Sequence, residues 1–139
     1  MHNVTERGLA LFGEIMGSER AVAMRATMMG DGLGSAMADL AVNFAFGSVW
    51  AREGLERKQR SLVTIGILIA QRQLAELKNH IRIGLTNGLT VREIEEALLQ
   101  SVPYVGFPTA TSALSAIIEV LRDEGLDAQS RTPEERGML

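Results

Sequence analysis

Apolar residues along this chain recur at steps of three and four, the spacing that gathers them on one side of a helix. Leu9, Phe12 and Met16 form the first such stripe, with Asn3 or Thr5 placed to cap it and Gly17 to end it. Ser18 opens a short second helix through Val22 and Met24 that stops at the segment MGDGLG. A third begins at Ser35, a good cap, and carries Met37, Leu40, Ala41, Phe44 and Ala45 to an end near Gly47. Residues 60 to about 72 are apolar nearly all round, with Leu62, Ile65, Ile67, Leu68 and Ile69 beside the small Gly66 and Ala70. A strand would be equally apolar, but the length and the helical flanks predict a helix, buried at the centre of the core or covered by another subunit.

The next helix, about Leu74 to Leu85, has Leu74, Leu77, Ile81 and Leu85 as its core stripe and closes at Asn87 and Gly88. Glu76 and His80 sit beside Leu77 and Ile81, which predicts boundary positions at the edge of the buried face. Thr90 and Glu93 have capping-box spacing for a helix whose inner face is Ile94, Ala97 and Leu98. SVPYVGFPTATS, with two prolines and a glycine, interrupts the pattern before a last helix of Ala113, Leu114, Ile117, Ile118 and Leu121. Beyond Gly125 periodicity is lost, which predicts a mobile polar tail or an arm across a neighbour. The expected architecture is all-α and compact, about six helices, with residues 1–125 as one domain and 126–139 as the tail.

Composition agrees with packed helices: aromatic residues make up 4% while hydrophobic residues reach 46%. A net charge of -3, with no basic run interleaved with aromatics, argues against a nucleic-acid binder. The longest apolar run, residues 62–70, is less than half a membrane span, and the first residues lack the pattern of a signal peptide. A cytoplasmic protein without membrane association is expected.

The chain has no cysteine, which excludes disulfides, thiolate metal ligands and thiol redox chemistry. Gly30, Gly32 and Gly34 lack a preceding strand and dinucleotide-fingerprint spacing, so they read as an inter-helix turn. There is no GxSxG, Walker or HExxH sequence, and the second histidine, His2, lies in a terminus expected to fray. Glu76 and His80, one helical turn apart, form either a surface pair or the simplest acid–base couple. A metal on His80 would need further ligands that no nearby spacing provides, so neither metal nor cofactor is expected. Arg52, Arg57, Lys58 and Arg60 gather four positive charges into nine residues, a candidate anion-facing rim.

FGSVWAREGLERKQRSLVTIGILIA, ELKNHIRIGLTNGLTVREIEEALLQ and YVGFPTATSAL, taken in order, resemble the carboxymuconolactone decarboxylase family over about Ala36 to Leu121. Trp50 and Arg52 ahead of Gly54 and Leu55, Arg60, Glu76 with His80, Arg82, the Asn87–Gly88 turn and the Gly106–Pro108 break carry the likeness. The resemblance implies a helical subunit with the alkylhydroperoxidase D-like fold, assembled as a homo-oligomer, trimer or hexamer. Its peroxidase branch carries a Cys-x-x-Cys where Gln73 and Glu76 stand here, so the resemblance is to the decarboxylase branch.

That branch implies cofactor-independent loss of carbon dioxide from 4-carboxymuconolactone in aromatic catabolism. His80 is then the expected proton donor, with Glu76 orienting it or sharing in the transfer. Arg52 is expected to clamp an anionic group, Arg60 and Arg82 are secondary clamps or surface ion pairs, and Trp50 and Tyr104 are pocket walls. AMRATMMGDGLG carries a single arginine, Arg25, which leaves room for a less charged acid as substrate. The alternatives are another enolisable ring acid or a non-catalytic binding protein of the same fold.

Overall fold

The structure, a computed structural model, describes residues 3–138, so His2 lies outside the described residues. These residues form seven α-helices and one π-helical segment with no strand, and none of the helices is long and apolar enough to cross a membrane. Two compact units divide the chain between Arg57 and Lys58.

In the first unit, helix α1 (Val4–Met16) begins where the Asn3 side chain accepts a hydrogen bond from the Glu6 N–H at 2.8 Å, and ends at Gly17, whose φ of 99° needs no Cβ. Helix α2 (Ser18–Met29) buries no residue, and Val22 is 71% exposed. Gly34 turns the chain into α3 (Ser35–Leu40). Ser35 does not cap that helix; its hydroxyl donates back to the Met28 and Gly30 carbonyls.

The third predicted stripe is overturned here. Met37, Leu40 and Phe44 are 76%, 62% and 65% exposed, while Ala38, Val42 and Gly47 are buried. At Ala41 the helix widens into a π-helical segment (Ala41–Trp50), closed by an Ala51 N–H to Phe46 carbonyl bond of 3.0 Å, and it runs past the expected end at Gly47. Widening rotates each later residue away from a 3.6-residue pattern. The contact with α1 is made by glycines: a Cβ on Gly8 would lie 2.1 Å from the Val42 oxygen, and one on Gly47 would lie 2.5 Å from the Val4 oxygen. Thr5 donates to Asn43 Oδ1, and Asn43 Nδ2 donates to the Asp39 carbonyl and carboxylate. Phe12 meets Phe46 edge-on with centroids 5.3 Å apart, and Phe46 stacks on Trp50 at 6.5 Å.

The second unit holds α4 (Arg57–Ala70), α5 (Leu74–Thr86), α6 (Val91–Val105) and α7 (Phe107–Asp123) from Lys58 onward. Its most enclosed helix is α7, which buries Ala110, Ala113, Ala116, Ile117, Ile118, Val120 and Leu121, with α5 and α6 packed on it. Helix α4 is amphipathic in the single chain. Ser61, Ile65 and Ile69 face the core, while Val63 and Ile67 are 55% and 50% exposed. In the single chain the most enclosed helix is therefore α7 and not α4, because the short side chains of its alanines let neighbouring backbones approach from several sides. Gly84 serves the same end on α5, since a Cβ there would press on Leu89 at 2.8 Å and Ile65 at 3.4 Å.

The Thr90–Glu93 capping box forms as expected, with bonds of 2.9 and 3.0 Å. The expected interruption at SVPYVGFPTATS shrinks to Gly106, at φ 85°. Pro108 sits in the first turn of α7, where a missing N–H disturbs little, whereas Pro103 lies inside α6 near its end, where it removes one donor from the helix ladder.

The residues after Gly125 are not a free tail. Arg122 grips both oxygens of Glu135 at 3.0 and 2.6 Å and donates to the Ser130 carbonyl, while Ser115 donates to Glu134 at 2.8 Å. The hydrogen bond from Arg122 holds the Glu135 carboxyl at about 2, far below the usual range. Thr132 and Pro133 are buried.

The glycine contact is testable within one helix. Gly8→Ala is expected to destabilise the chain by about 1–3 kcal/mol through overpacking. Gly13→Ala, whose Cβ would meet only the Ala21 Cβ at 3.4 Å, is expected to gain about 0.5–1 kcal/mol of helix stability. Urea denaturation of the full chain measures both, and a Gly8→Ala protein as stable as wild type would contradict the backbone contact.

Candidate active site

Position on α5 follows from three anchors. Before its first turn, Arg72 adopts a left-handed conformation (φ 58°) that is costly for a residue with a side chain, and its Nε donates to Thr109 Oγ1 of α7 at 2.9 Å. Further along, Leu77 and Ile81 are fully buried in the core shared with α7. At the far end, Asn87 Nδ2 donates to Ser61 Oγ of α4 at 2.9 Å, and Ser61 is fully buried. Arg72, Thr109 and the Ser61–Asn87 pair were not singled out in the sequence as supports of the site; Asn87 was read only as part of the closing turn.

On this frame His80 is half-buried, adjacent to the buried Ile81. Glu76, expected as a boundary residue like His80, is exposed on the preceding turn. Burial is the larger influence on His80 and lowers its pKa below the ordinary 6.5, because a partly enclosed imidazole is poorly solvated when charged. The Glu76 carboxylate pulls the other way by Coulomb attraction without reversing the shift. The pair is thus an imidazole biased towards its neutral form, with a solvated carboxylate that restores part of the charged population.

The remaining candidate residues separate. Arg82 is exposed and faces Asp123 and Glu124 at 3.5 and 3.3 Å, an arrangement of surface ion pairs. Arg60 is half-buried in the first turn of α4, which starts earlier, at Arg57. Tyr104 is 81% exposed and lines a groove of about 670 Å³ between α4 and α6 with Leu62, Gly66 and Ala97; neither Glu76 nor His80 contributes to its walls.

Trp50 and Arg52 belong to the first unit, where they line a cavity of about 500 Å³ with Arg7, Leu11, Leu55 and Arg57. Arg7 was missed because it lies on α1, far in sequence from the other cations. The expected rim of four cations is divided between the two units, and two of its members are already paired: Arg57 with Glu14 at 2.6 Å and Lys58 with Glu93 at 2.9 Å. Among the described residues, no three His, Cys, Asp or Glu side chains cluster closely enough to hold a metal ion.

Residues 35–119 match the Carboxymuconolactone decarboxylase family, and the chain belongs to that family. It is similar to the nitrosuccinic acid decarboxylase of Metarhizium robertsii, with 38% identity over 96 residues that cover 69% of this chain and 67% of that protein. It is likewise similar to the 4-carboxymuconolactone decarboxylase of Acinetobacter baylyi, with 42% identity over 83 residues, or 60% of this chain and 62% of that protein. A third relative, an uncharacterized 15.0 kDa protein of Paracoccus denitrificans, is 40% identical over 81 residues. The aligned part of the chain thus spans between 60% and 67% of the length of these relatives. The family match runs from the start of α3 into the last turns of α7 and includes every candidate residue named above except Arg7.

Because burial and Glu76 act on His80 with opposite signs, they can be separated by titration. The His80 ring resonances are expected to titrate below 6.5, and in Glu76→Gln lower still. A group held neutral on folding makes the folded state lose stability as pH falls below 6.5, where the unfolded chain takes up the proton more readily. A His80 pKa above 6.5, or one that rises in Glu76→Gln, would contradict this balance of forces.

Proposed function

We propose that this protein is a cofactor-independent decarboxylase of small enolisable acids, with 4-carboxymuconolactone as its first candidate substrate. The observation that carries the reading is the state of His80: half-buried, held below its ordinary pKa by burial, and opposed by Glu76 from the next turn. An imidazolium made more acidic in this way delivers a proton readily, and the carboxylate maintains a population of it near neutral pH.

The reaction asks little else of the protein. In 4-carboxymuconolactone the bond from the ring carbon to its carboxylate breaks, carbon dioxide leaves, and the electron pair moves onto the lactone carbonyl as an oxyfuran-like dienolate. His80 then protonates the ring carbon, giving the enol-lactone, and recovers its proton from solvent. The substrate carries its own electron sink, so hydrogen bonding to the developing oxyanion and correct placement of the proton donor supply the catalysis. The 42% identity to a 4-carboxymuconolactone decarboxylase supports this substrate. A second reading draws support from the 38% identity to a nitrosuccinic acid decarboxylase: with nitrosuccinate the nitro group takes the electron pair and the same histidine returns the proton.

Ultraviolet assay of 4-carboxymuconolactone, with nitrosuccinate run in parallel, tests the proposal. Turnover of one of them by the wild type is expected, with kcat reduced about 10²- to 10⁴-fold in His80→Gln. Turnover of neither would remove both substrates, and turnover unaffected by His80→Gln would remove the assignment of the proton donor.

We also read the protein as a homo-oligomer. Val63 and Ile67 on α4, and Met37 and Phe44 in the first unit, leave large apolar side chains open in the single chain. Sedimentation equilibrium is expected to give a multiple of the 15.1 kDa chain mass, and a monomer at micromolar concentration would overturn this part of the reading.

A further inference from the structure

The segment after α7 encloses a cavity that the reaction above does not use. The chain reverses at Gly125 (φ 71°), and Asp127 accepts the Gln129 and Ser130 N–H groups at 3.0 and 2.9 Å. Together with the Arg122–Glu135 and Ser115–Glu134 bonds, these contacts strap residues 126–138 across α6 and α7 and leave about 270 Å³ beneath them. Ile94 and Leu98 of α6 and Ile117 and Leu121 of α7 form the floor.

Charge at the rim is uneven. Arg131 and Arg136 both line the cavity, and among the described residues neither side chain makes an ion pair or a hydrogen bond. Among the described residues, the carboxylates of Asp127 and Glu95 line the cavity, and those of Glu134 and Glu135 belong to the strap. Glu134 and Glu135 are engaged by Ser115 and Arg122, and Asp127 by two backbone N–H groups. Among the described residues, Glu95 on α6 makes no ion pair with either arginine. An apolar floor with two available guanidinium groups above it suits a molecule with an apolar body and a single anionic head. Size limits the body further: an apolar cavity of roughly 150 Å³ accommodates benzene, so this one has room for a ring bearing a carboxylate and little more.

We propose that this cavity is a second, non-catalytic binding site for a compact carboxylic acid with an apolar body, its carboxylate held by Arg131 and Arg136. The arginines lie on the segment outside the family match, on a different face of α7 from the α5 contacts that carry Glu76 and His80.

Titration calorimetry with benzoate as probe and benzyl alcohol as its neutral counterpart tests the site, with the Ile94 and Ile117 methyl resonances reporting location. Benzoate is expected to bind the full-length protein saturably and to shift both methyls. The alcohol, and benzoate with the Arg131→Gln/Arg136→Gln variant, are expected to bind about tenfold more weakly or worse. Binding to His80→Gln is expected to match wild type. The proposal fails if benzoate does not bind, if the arginine variant binds it equally well, or if binding is lost in His80→Gln, which would place the acid in the other site. Both arginines are exposed, so the double variant is expected to fold; an unchanged melting temperature confirms that weaker binding reports the site.

Discussion

Close packing against the small residues of α7 is the constraint on which the second unit depends. Ala110, Ala113 and Ala116 are almost completely buried and present no side chain beyond a methyl group, so α5 and α6 can both pack on this helix. Larger side chains complete the core: Ile117, Val120 and Leu121 belong to one buried cluster with Leu77, Ile81, Ile94 and Leu98. Enlarging an alanine here would push a whole helix outward, whereas truncating Val120 or Ile81 would leave a cavity costing about 0.5–5 kcal/mol, depending on the size of the group removed.

The candidate site inherits its precision from the same helix. Thr109, in the first turn of α7, receives the hydrogen bond that fixes Arg72, and Arg72 stands where the chain must reverse before α5 begins. Leu77 and Ile81 then set the rotation of α5 about its axis, which holds Glu76 and His80 together beside the buried face, with His80 half-enclosed and Glu76 exposed. A rotation by one residue, about 100°, would carry both side chains together into the core or out to solvent and remove the opposition between burial and charge at His80. The electrostatics of the pair is therefore a consequence of core packing one residue away.

How far this was legible in the sequence depended on whether a feature is local. The Asn3 cap, the Thr90–Glu93 box and the Gly88 turn each require a short span of chain, and each is present. The stripe of α5 was largely right too, because Leu77 and Ile81 are large side chains that a 3.6-residue period detects. Three features were opaque for a physical reason. The π-helical segment changes the period itself; the Gly8 and Gly47 contact is mainly between backbones; and α7 is central by virtue of being small, whereas the strongly apolar α4 keeps Val63 and Ile67 outside. At the site, the adjacency of Glu76 and His80 was legible from spacing, but the exposure of Glu76 and the ion pairing of Arg82 depend on partners distant in sequence.

The strap after Gly125 makes the same point about charge. Its composition is that of a disordered tail, with little apolar surface to offset the ordering entropy of the backbone. What orders it is one arginine used three ways: Arg122 holds a carbonyl at Ser130 and both oxygens of Glu135, and Glu135 in turn accepts the Thr132 N–H at 2.7 Å. An exposed ion pair alone would contribute little. Here the carboxylate is shared between a bidentate guanidinium and a backbone N–H, so ordering one side chain serves three bonds, and Thr132 and Pro133 are brought down onto α7 as a result. Polar composition therefore does not separate a tail from a strap; the distinction lies in whether one donor on a rigid helix can satisfy several acceptors of the returning chain.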